Sequence, residues 1–183
     1  MNLPNKLTMS RLILVPAFMA VMLMGYYLPA LAIFCVAAIT DFFDGYLARK
    51  NNLITTFGKL CDPVADKILT TAALLAFMQL GLCDIWVVMS VLAREFLVTS
   101  FRLVASAQGV VIPAGVLGKI KTICQMTFSI LIMLGLFIGE FVSFDFEKFA
   151  LVSNILFWIT AVLTVVSGIK YIIDGKKVID FSK

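Results

Sequence analysis

The sequence predicts an all-α integral membrane protein with six transmembrane helices and a polar site at the cytoplasmic side. Of its 183 residues, 62% are apolar and only 14% are charged, whereas soluble domains are about half apolar and roughly a quarter charged. This composition excludes a disordered chain and a nucleic-acid-binding module, so we expect no nucleic-acid partner. A membrane-spanning helix needs about 20 residues. We therefore expect a single membrane domain over residues 1–183, with no soluble appendage.

Apolar runs and the residues that interrupt them set the predicted bounds of the spans. Pro29 is predicted to end the first span, and Pro63 is predicted to begin the third. Residues 109–118, which contain three glycines and a proline, connect the fourth span to the fifth. Residues 1–10 can form a short helix on the membrane surface. The predicted spans are Thr8–Leu28, Ala30–Lys50, Pro63–Leu82, Ile85–Ala107, Ile120–Phe141 and Phe149–Ile173.

The lysines and arginines predict the orientation of these spans. Fourteen of the 15 basic residues fall toward one side of the membrane, and only Lys148 falls on the other side. Basic residues favour the cytoplasmic side, so we expect both termini in the cytoplasm and an even number of spans. We expect a multi-pass membrane protein without a cleaved signal peptide, because residues 1–10 contain no small-residue cleavage site.

Two residue types narrow the possible chemistry. The chain contains no histidine, which excludes imidazole acid–base catalysis and relays between histidine and a nucleophile. Its four cysteines are scattered without a C-x-x-C pair. We interpret them as small apolar residues of the membrane helices.

Four carboxylates lie where the second and third spans meet the cytoplasm. Asp41 and Asp44 are three residues apart and Asp62 and Asp66 are four apart, so each pair shares a helix face. A charge at the centre of a membrane helix costs about 2.5–3.5 kcal/mol, and less near an edge. Four converging carboxylates without a counter-charge would also repel one another. Because hard divalent cations prefer oxygen ligands, such ions are the natural partners of these carboxylates, and two ions close together form a known clamp for phosphoryl displacement.

Simpler interpretations of the same residues stay open. The aspartates can form ion pairs with Arg49, Lys50, Lys59 and Lys67. Asp62, directly before Pro63, also has the pattern of a helix N-cap, which does not exclude metal ligation. Gly45, Ala48 and Gly58 let a ligand approach the backbone closely, or they serve only the packing of helices.

Together these residues read D-x-x-D-G-x-x-A-R-x(8)-G-x-x-x-D-x-x-x-D over residues 41–66, which resembles the signature of the CDP-alcohol phosphotransferase family. Members of that family are membrane enzymes that transfer a phosphatidyl-type group from a CDP-linked donor to an alcohol and release CMP. The resemblance implies that the four aspartates hold two divalent ions, Mg²⁺ or Mn²⁺. It also implies that Asp66 takes the proton from the attacking hydroxyl. The residues implied to contact the CDP-lipid are Asn5, Thr8, Gly45, Ala48, Arg49 and Gly58.

The segments outside the signature resemble family members whose acceptor is sn-glycerol 3-phosphate. They include Ala93-Arg94-Glu95-Phe96 and Gly118-Lys119-x-Lys121-Thr122. This acceptor is an anion, so its pocket needs cations. The implied acceptor-binding residues are Arg94, Arg102, Lys119 and Lys121.

The resemblance thus implies transfer of the phosphatidyl group from CDP-diacylglycerol to sn-glycerol 3-phosphate, in contact with membrane lipids and in a homodimer. Inositol phosphate and phosphatidylglycerol stay open as acceptors, and a cation transporter is the alternative from another class. The basic side chains can also serve only to set topology or to snorkel. Arg94 and Glu95, in particular, can simply pair with each other.

Overall fold

Six α-helices make up the described part of the chain, which contains no β-strand. The computed structural model describes residues 3–50, 56–108, 110, 112–113, 115–143 and 145–176. For residues 3–8, 41–50 and 56–66 the description covers the backbone only. The helices are α1 (Leu3–Leu23), α2 (Tyr27–Lys50), α3 (Thr56–Gln79), α4 (Ile85–Ala107), α5 (Val116–Gly139) and α6 (Phe146–Gly175).

The bounds of α4 agree with the sequence prediction, and Asp84 explains where this helix begins. The Asp84 carboxylate accepts a hydrogen bond of 2.8 Å from the backbone N–H of Trp86. Such an N-cap satisfies one of the N–H groups that have no partner within the first turn of a helix.

The predicted boundary at Pro29 is wrong. α1 ends at Leu23 and α2 begins at Tyr27, so Pro29 lies in the first turn of α2. Proline is tolerated there because the first N–H groups of a helix have no intrahelical acceptor. The turn between the helices instead contains Gly25, whose φ of 87° lies in the left-handed region that favours glycine.

The predicted start of the third span at Pro63 is also wrong. α3 begins at Thr56, so both Asp62 and Pro63 lie inside the helix, and Asp62 is not its N-cap. At the N-terminus, residues 3–10 are continuous with the first predicted span and form the opening turns of α1.

The described chain divides into two compact units. The first comprises Met1–Leu80 and Ser129–Asp145, and within it α1 packs against both α2 and α3, which also contact each other. Val15, Phe18 and Met22 form the buried face of α1, because residues three and four apart lie on one side of a helix. Phe18 packs on Phe34 of α2 with ring centroids 5.6 Å apart.

The second unit comprises Gly81–Phe128 and Phe146–Lys183, and its central contact joins α4 to α6. Arg94 lies beside Gly168, and Phe101 lies beside Gly175. Both helices advance by seven residues between these two contacts, so α4 and α6 run parallel to each other.

Two of the described helices, α5 and α6, are long and apolar enough to cross a membrane. Shorter apolar stretches occur in the first three helices, at Met9–Leu23, Tyr27–Thr40 and Lys67–Gln79. Length and composition thus identify two candidate membrane spans among the residues that the structure describes.

Cys83 provides a test of the fold at the turn between α3 and α4. Burial, and secondarily the adjacent Asp84 carboxylate, raise the pKa of the Cys83 thiol to about 12. The thiolate is the reactive form of cysteine, so a raised pKa slows its reaction with N-ethylmaleimide. For a variant whose only cysteine is Cys83, we expect the folded protein to react at least about tenfold more slowly near neutral pH than the same variant in SDS. Mass spectrometry of timed samples measures this rate. A variant with only Cys124, which is half-buried, is the control and should react faster when folded. Equal rates for Cys83 in the folded and SDS-treated states would contradict this prediction.

Candidate active site

The four aspartates of the signature lie on two helices of the first unit. Asp41 and Asp44 fall in α2, whereas Asp62 and Asp66 fall in α3, and these helices contact each other. Their side chains lie outside the described part of the chain, so their convergence on one site stays a prediction. The same holds for the predicted CDP-lipid contacts, which are Asn5, Thr8, Gly45, Ala48, Arg49 and Gly58.

The chemistry of the four aspartates fits a hard divalent cation. All four are carboxylates, which are the oxygen ligands that Mg²⁺ and Mn²⁺ prefer. Because α2 is continuous through Asp41 and Asp44, and α3 through Asp62 and Asp66, the spacings of three and four residues keep each pair on one helix face. Among the side chains that the structure describes, no group of three His, Cys, Asp or Glu residues could hold a metal ion.

A second polar cluster joins α4 to α5 within the second unit. Glu95 Oε1 accepts hydrogen bonds from Arg94 Nη1 at 2.8 Å and from Lys121 Nζ at 2.5 Å. The exposed fractions of the Arg94, Glu95 and Lys121 side chains are 12%, 17% and 6%. We call this group the ion triad. Since an unpaired charge is costly in apolar surroundings, Glu95 stabilises both cations within their apolar helices.

The ion triad retains the capacity to bind an anion. It contains two positive charges and one negative charge, so its net charge is positive. Arg94 Nη1 donates to Glu95, whereas Arg94 Nε is buried and has no hydrogen-bond partner among the described residues. Nε and Nη2 form one edge of the guanidinium, and such an edge binds two oxygens of a phosphate in parallel. The arrangement therefore suits a phosphate-bearing ligand.

Arg102 lies two turns beyond Arg94 on α4 and contacts α6. Its Nε donates a hydrogen bond of 3.0 Å to the hydroxyl of Tyr171, and its Cζ lies 5.3 Å from the centroid of the same ring. The Tyr171 hydroxyl in turn donates to the carbonyl of Ile112 at 3.5 Å. Phe101 packs edge-on against Tyr171, with centroids 6.1 Å apart.

The four predicted acceptor-binding cations therefore have different surroundings. Arg94 and Lys121 share Glu95, so the ion pair that was the alternative interpretation of Arg94 and Glu95 is present, with Lys121 as a further partner. Lys119 is exposed whereas Lys121 is 5% exposed, because residues two apart on a helix face different sides. Arg102 is exposed and lies outside the ion triad.

Sequence reasoning did not identify the residues of α6 that contact these arginines. Tyr171 is the only tyrosine after residue 46 and lies in the last turns of an apolar helix. This isolated polar ring in an apolar helix is the sequence feature that could have identified it. Gly168 gave no signal, because glycine is frequent in membrane helices for reasons of packing alone.

Comparison with known proteins defines the class to which this chain belongs. The family model for CDP-alcohol phosphatidyltransferases matches residues 1–166. The chain therefore belongs to the CDP-alcohol phosphatidyltransferase family, and the resemblance based on the signature of residues 41–66 is confirmed.

Several curated bacterial proteins are similar to this chain. A protein of Bacillus subtilis (strain 168) is 41% identical over 185 residues, covering 93% of each chain. A protein of Rickettsia bellii (strain RML369-C) is 37% identical over 179 residues, covering 96% of each. A protein of Escherichia coli (strain K12) is 39% identical over 137 residues, which cover 68% of this chain and 72% of that protein. All three carry the name CDP-diacylglycerol–glycerol-3-phosphate 3-phosphatidyltransferase.

The ion triad predicts that Glu95 and Lys121 are energetically coupled. Glu95→Gln leaves two buried cations without their shared carboxylate, so it should be less harmful when Lys121→Met is also present. We expect a coupling energy of about 1–3 kcal/mol, measured by unfolding the single and double variants in detergent micelles. As a control, Glu95→Gln combined with Lys170→Met should be additive, because Lys170 is exposed on α6. Additivity of Glu95→Gln with Lys121→Met would contradict the ion triad.

Proposed function

We propose that this chain is a CDP-diacylglycerol–glycerol-3-phosphate 3-phosphatidyltransferase, which makes phosphatidylglycerophosphate and CMP. Membership of the family supports a CDP-linked donor, and the names of the similar bacterial proteins support this donor and acceptor. The structural observation that carries the choice of acceptor is the ion triad, with its net positive charge and unpaired Arg94 Nε. A neutral alcohol would gain nothing from these cations, whereas a phosphate monoester binds them.

In the proposed reaction, a hydroxyl of sn-glycerol 3-phosphate attacks the phosphorus that carries the diacylglycerol group. A new phosphorus–oxygen bond forms, the bond from this phosphorus to the bridging oxygen breaks, and CMP leaves with the electron pair. The Asp66 carboxylate accepts the proton of the attacking hydroxyl, as a general base within hydrogen-bond reach does. Asp41, Asp44, Asp62 and Asp66 would hold two divalent ions, Mg²⁺ or Mn²⁺, which neutralise the pyrophosphate and stabilise the leaving CMP when bound.

The two substrates would occupy different groups of residues. We assign the CDP-lipid to residues of α1, α2 and α3, which contact one another; these are Asn5, Thr8, Gly45, Ala48, Arg49 and Gly58. We assign the acceptor phosphate to Arg94 and Lys121, with Arg102 and Lys119 as further cations on the same two helices. Permanent cations suit this role because the acceptor phosphate is bound without being altered. At the donor pyrophosphate, in contrast, a phosphorus–oxygen bond breaks and negative charge develops on the leaving CMP.

We also propose that all six helices cross a bacterial inner or plasma membrane, with both termini in the cytoplasm, and that the chain forms one membrane domain within a homodimer. Large apolar side chains are exposed on the helices that carry charges, for example Ile13, Val36, Phe96 and Leu103, and lipid is the environment that favours such a surface. The parallel course of α4 and α6 supports the topology, because alternate spans cross a membrane in the same direction. The homodimer rests on the family resemblance.

The primary test is CMP release by the purified full-length protein in mixed micelles. We expect CMP when CDP-diacylglycerol and sn-glycerol 3-phosphate are both present, loss of activity with EDTA, and recovery with Mg²⁺ or Mn²⁺, because carboxylates need the metal to bind the pyrophosphate. Coupled enzymatic detection of CMP measures the rate. Asp66→Asn is the matched control and should release none under any of these conditions. Release with inositol phosphate or phosphatidylglycerol, but not with sn-glycerol 3-phosphate, would reject the proposed acceptor.

A second test addresses the acceptor pocket. Arg94→Ala should raise the KM for sn-glycerol 3-phosphate about 10- to 150-fold, the effect of losing a hydrogen-bonded charge, while the KM for CDP-diacylglycerol stays within about twofold. Steady-state kinetics with each substrate varied in turn measure both constants. Lys170→Ala, at an exposed position on α6, is the control and should change neither. An effect of Arg94→Ala on the CDP-lipid alone would reject the assignment of this pocket.

A further inference from the structure

We propose that α6 carries two positioning residues, Gly168 and Tyr171, which orient the guanidinium groups of α4 toward the acceptor phosphate. Gly168 acts on Arg94, and Tyr171 acts on Arg102. The inference rests on the proposed function, since it concerns the same acceptor. Both residues lie beyond residues 1–166, the part of the chain that the family model matches.

Gly168 provides the space through which the Arg94 side chain passes. A Cβ atom at this position would lie 2.8 Å from Arg94 Cγ and 3.8 Å from Arg94 Nε. Cγ is close to the root of the side chain, so it cannot retreat without rotation about χ1 or separation of the helices. Either change moves the guanidinium, because the guanidinium lies further out along the same chain of bonds.

Arg94 meets a second glycine at its far end. A Cβ atom at Gly118 on α5 would lie 3.3 Å from Arg94 Nη2. This atom is at the flexible end of the side chain and can move by a few tenths of an ångström. Gly168 of α6 thus limits the position of the Arg94 stem tightly, whereas Gly118 of α5 limits the position of Nη2 only loosely.

Tyr171 restricts Arg102 in a different way. The Arg102 side chain is exposed, and a long exposed side chain loses rotamer entropy when it is fixed. Tyr171 is itself 8% exposed and is held by Phe101 and by the carbonyl of Ile112. Its hydroxyl accepts the hydrogen bond from Arg102 Nε, which leaves the terminal Nη1–Nη2 edge available to a phosphate.

The geometry of α6 brings both contacts to one side of the helix. Gly168 and Tyr171 are three residues apart and so share a face. Because α4 runs parallel to α6, this face lies along the side of α4 that carries both arginines. A glycine at a helix crossing usually serves close packing. At Gly168, the space left by the missing side chain is occupied by the aliphatic stem of Arg94. Gly168 therefore has a role in function as well as in packing.

The first test uses Gly168→Ala in the full-length enzyme. We expect the KM for sn-glycerol 3-phosphate to rise about tenfold, as small displacements of substrate-binding groups do, with the KM for CDP-diacylglycerol unchanged. Gly115→Ala is the matched control, because nothing lies within 4 Å of a Cβ atom there, and it should change neither constant. Gly118→Ala should have a smaller effect than Gly168→Ala.

A double-mutant cycle separates positioning from general damage to the fold. If Gly168 acts through Arg94, then Gly168→Ala should add no further increase in KM to that of Arg94→Ala. If Gly168→Ala instead caused a general structural defect, the KM increases of the two single variants would multiply in the double variant. If Gly168→Ala fails to fold, Tyr171→Phe provides the test instead. Tyr171→Phe should raise the KM for sn-glycerol 3-phosphate several-fold, and it should add no further increase to that of Arg102→Ala. Tyr26→Phe, at an exposed position, is the control.

The possible results distinguish this inference from the proposed function. A rise in KM for Arg94→Ala but not for folded Gly168→Ala, or independent multiplying effects, would overturn the positioning role and leave the proposed function intact. An unchanged KM in Arg94→Ala would overturn the acceptor pocket and the positioning role together. A raised KM in both single variants, without a further rise in the double variant, supports both.

Discussion

The cost of placing charged side chains within apolar helices determines how the second unit is built. Arg94 and Lys121 come from different helices, and both are largely buried. Neither cation would be stable there without a counter-charge, and Glu95 provides one carboxylate that both share. The ion triad therefore joins α4 to α5 and fixes one end of the Arg94 guanidinium. Because one carboxylate does not neutralise two cations, the same interaction that stabilises the helices leaves the positive charge that the proposed acceptor requires.

The two anionic substrates of the proposed reaction would be bound by different chemistry. The pyrophosphate of the CDP-lipid undergoes bond cleavage, so its developing charge calls for metal ions that carboxylates can hold. The phosphate of the acceptor is not altered, and permanent cations bind it without any transfer of protons. In the proposed reaction, this difference accounts for a donor site built on the four aspartates of α2 and α3 and an acceptor site built on cations of α4 and α5. It also explains why rigid orientation, through Gly168 and Tyr171, is useful at the acceptor.

Much of the fold could be predicted because it depends on local features of the sequence. The high apolar content predicts an all-helical chain, and the apolar run that begins at Ile85 predicts the start of α4. Local rules fail at Pro29 and Pro63, because the sequence predicts helix boundaries there whereas both residues lie within helices, α2 and α3. Pro29 lies in the first turn of α2, where the N–H that proline lacks has no intrahelical acceptor, and the turn after α1 is instead made at Gly25, where φ is positive.

The sequence by itself determined the family, because a signature of fixed residue types at fixed spacings along two helices identifies it, as the match over residues 1–166 bears out. It also supplied the list of cations that we propose for the acceptor. Only the tertiary structure decided which of those cations meet: Glu95 pairs with Lys121, 26 residues away, and Arg102 pairs with Tyr171, 69 residues away. Such pairs depend on the register and packing of helices that are distant in the chain. Residue spacing places Lys119 and Lys121 on different sides of α5, but it does not encode that register, so only the structure shows that Lys121 is the lysine that meets Glu95.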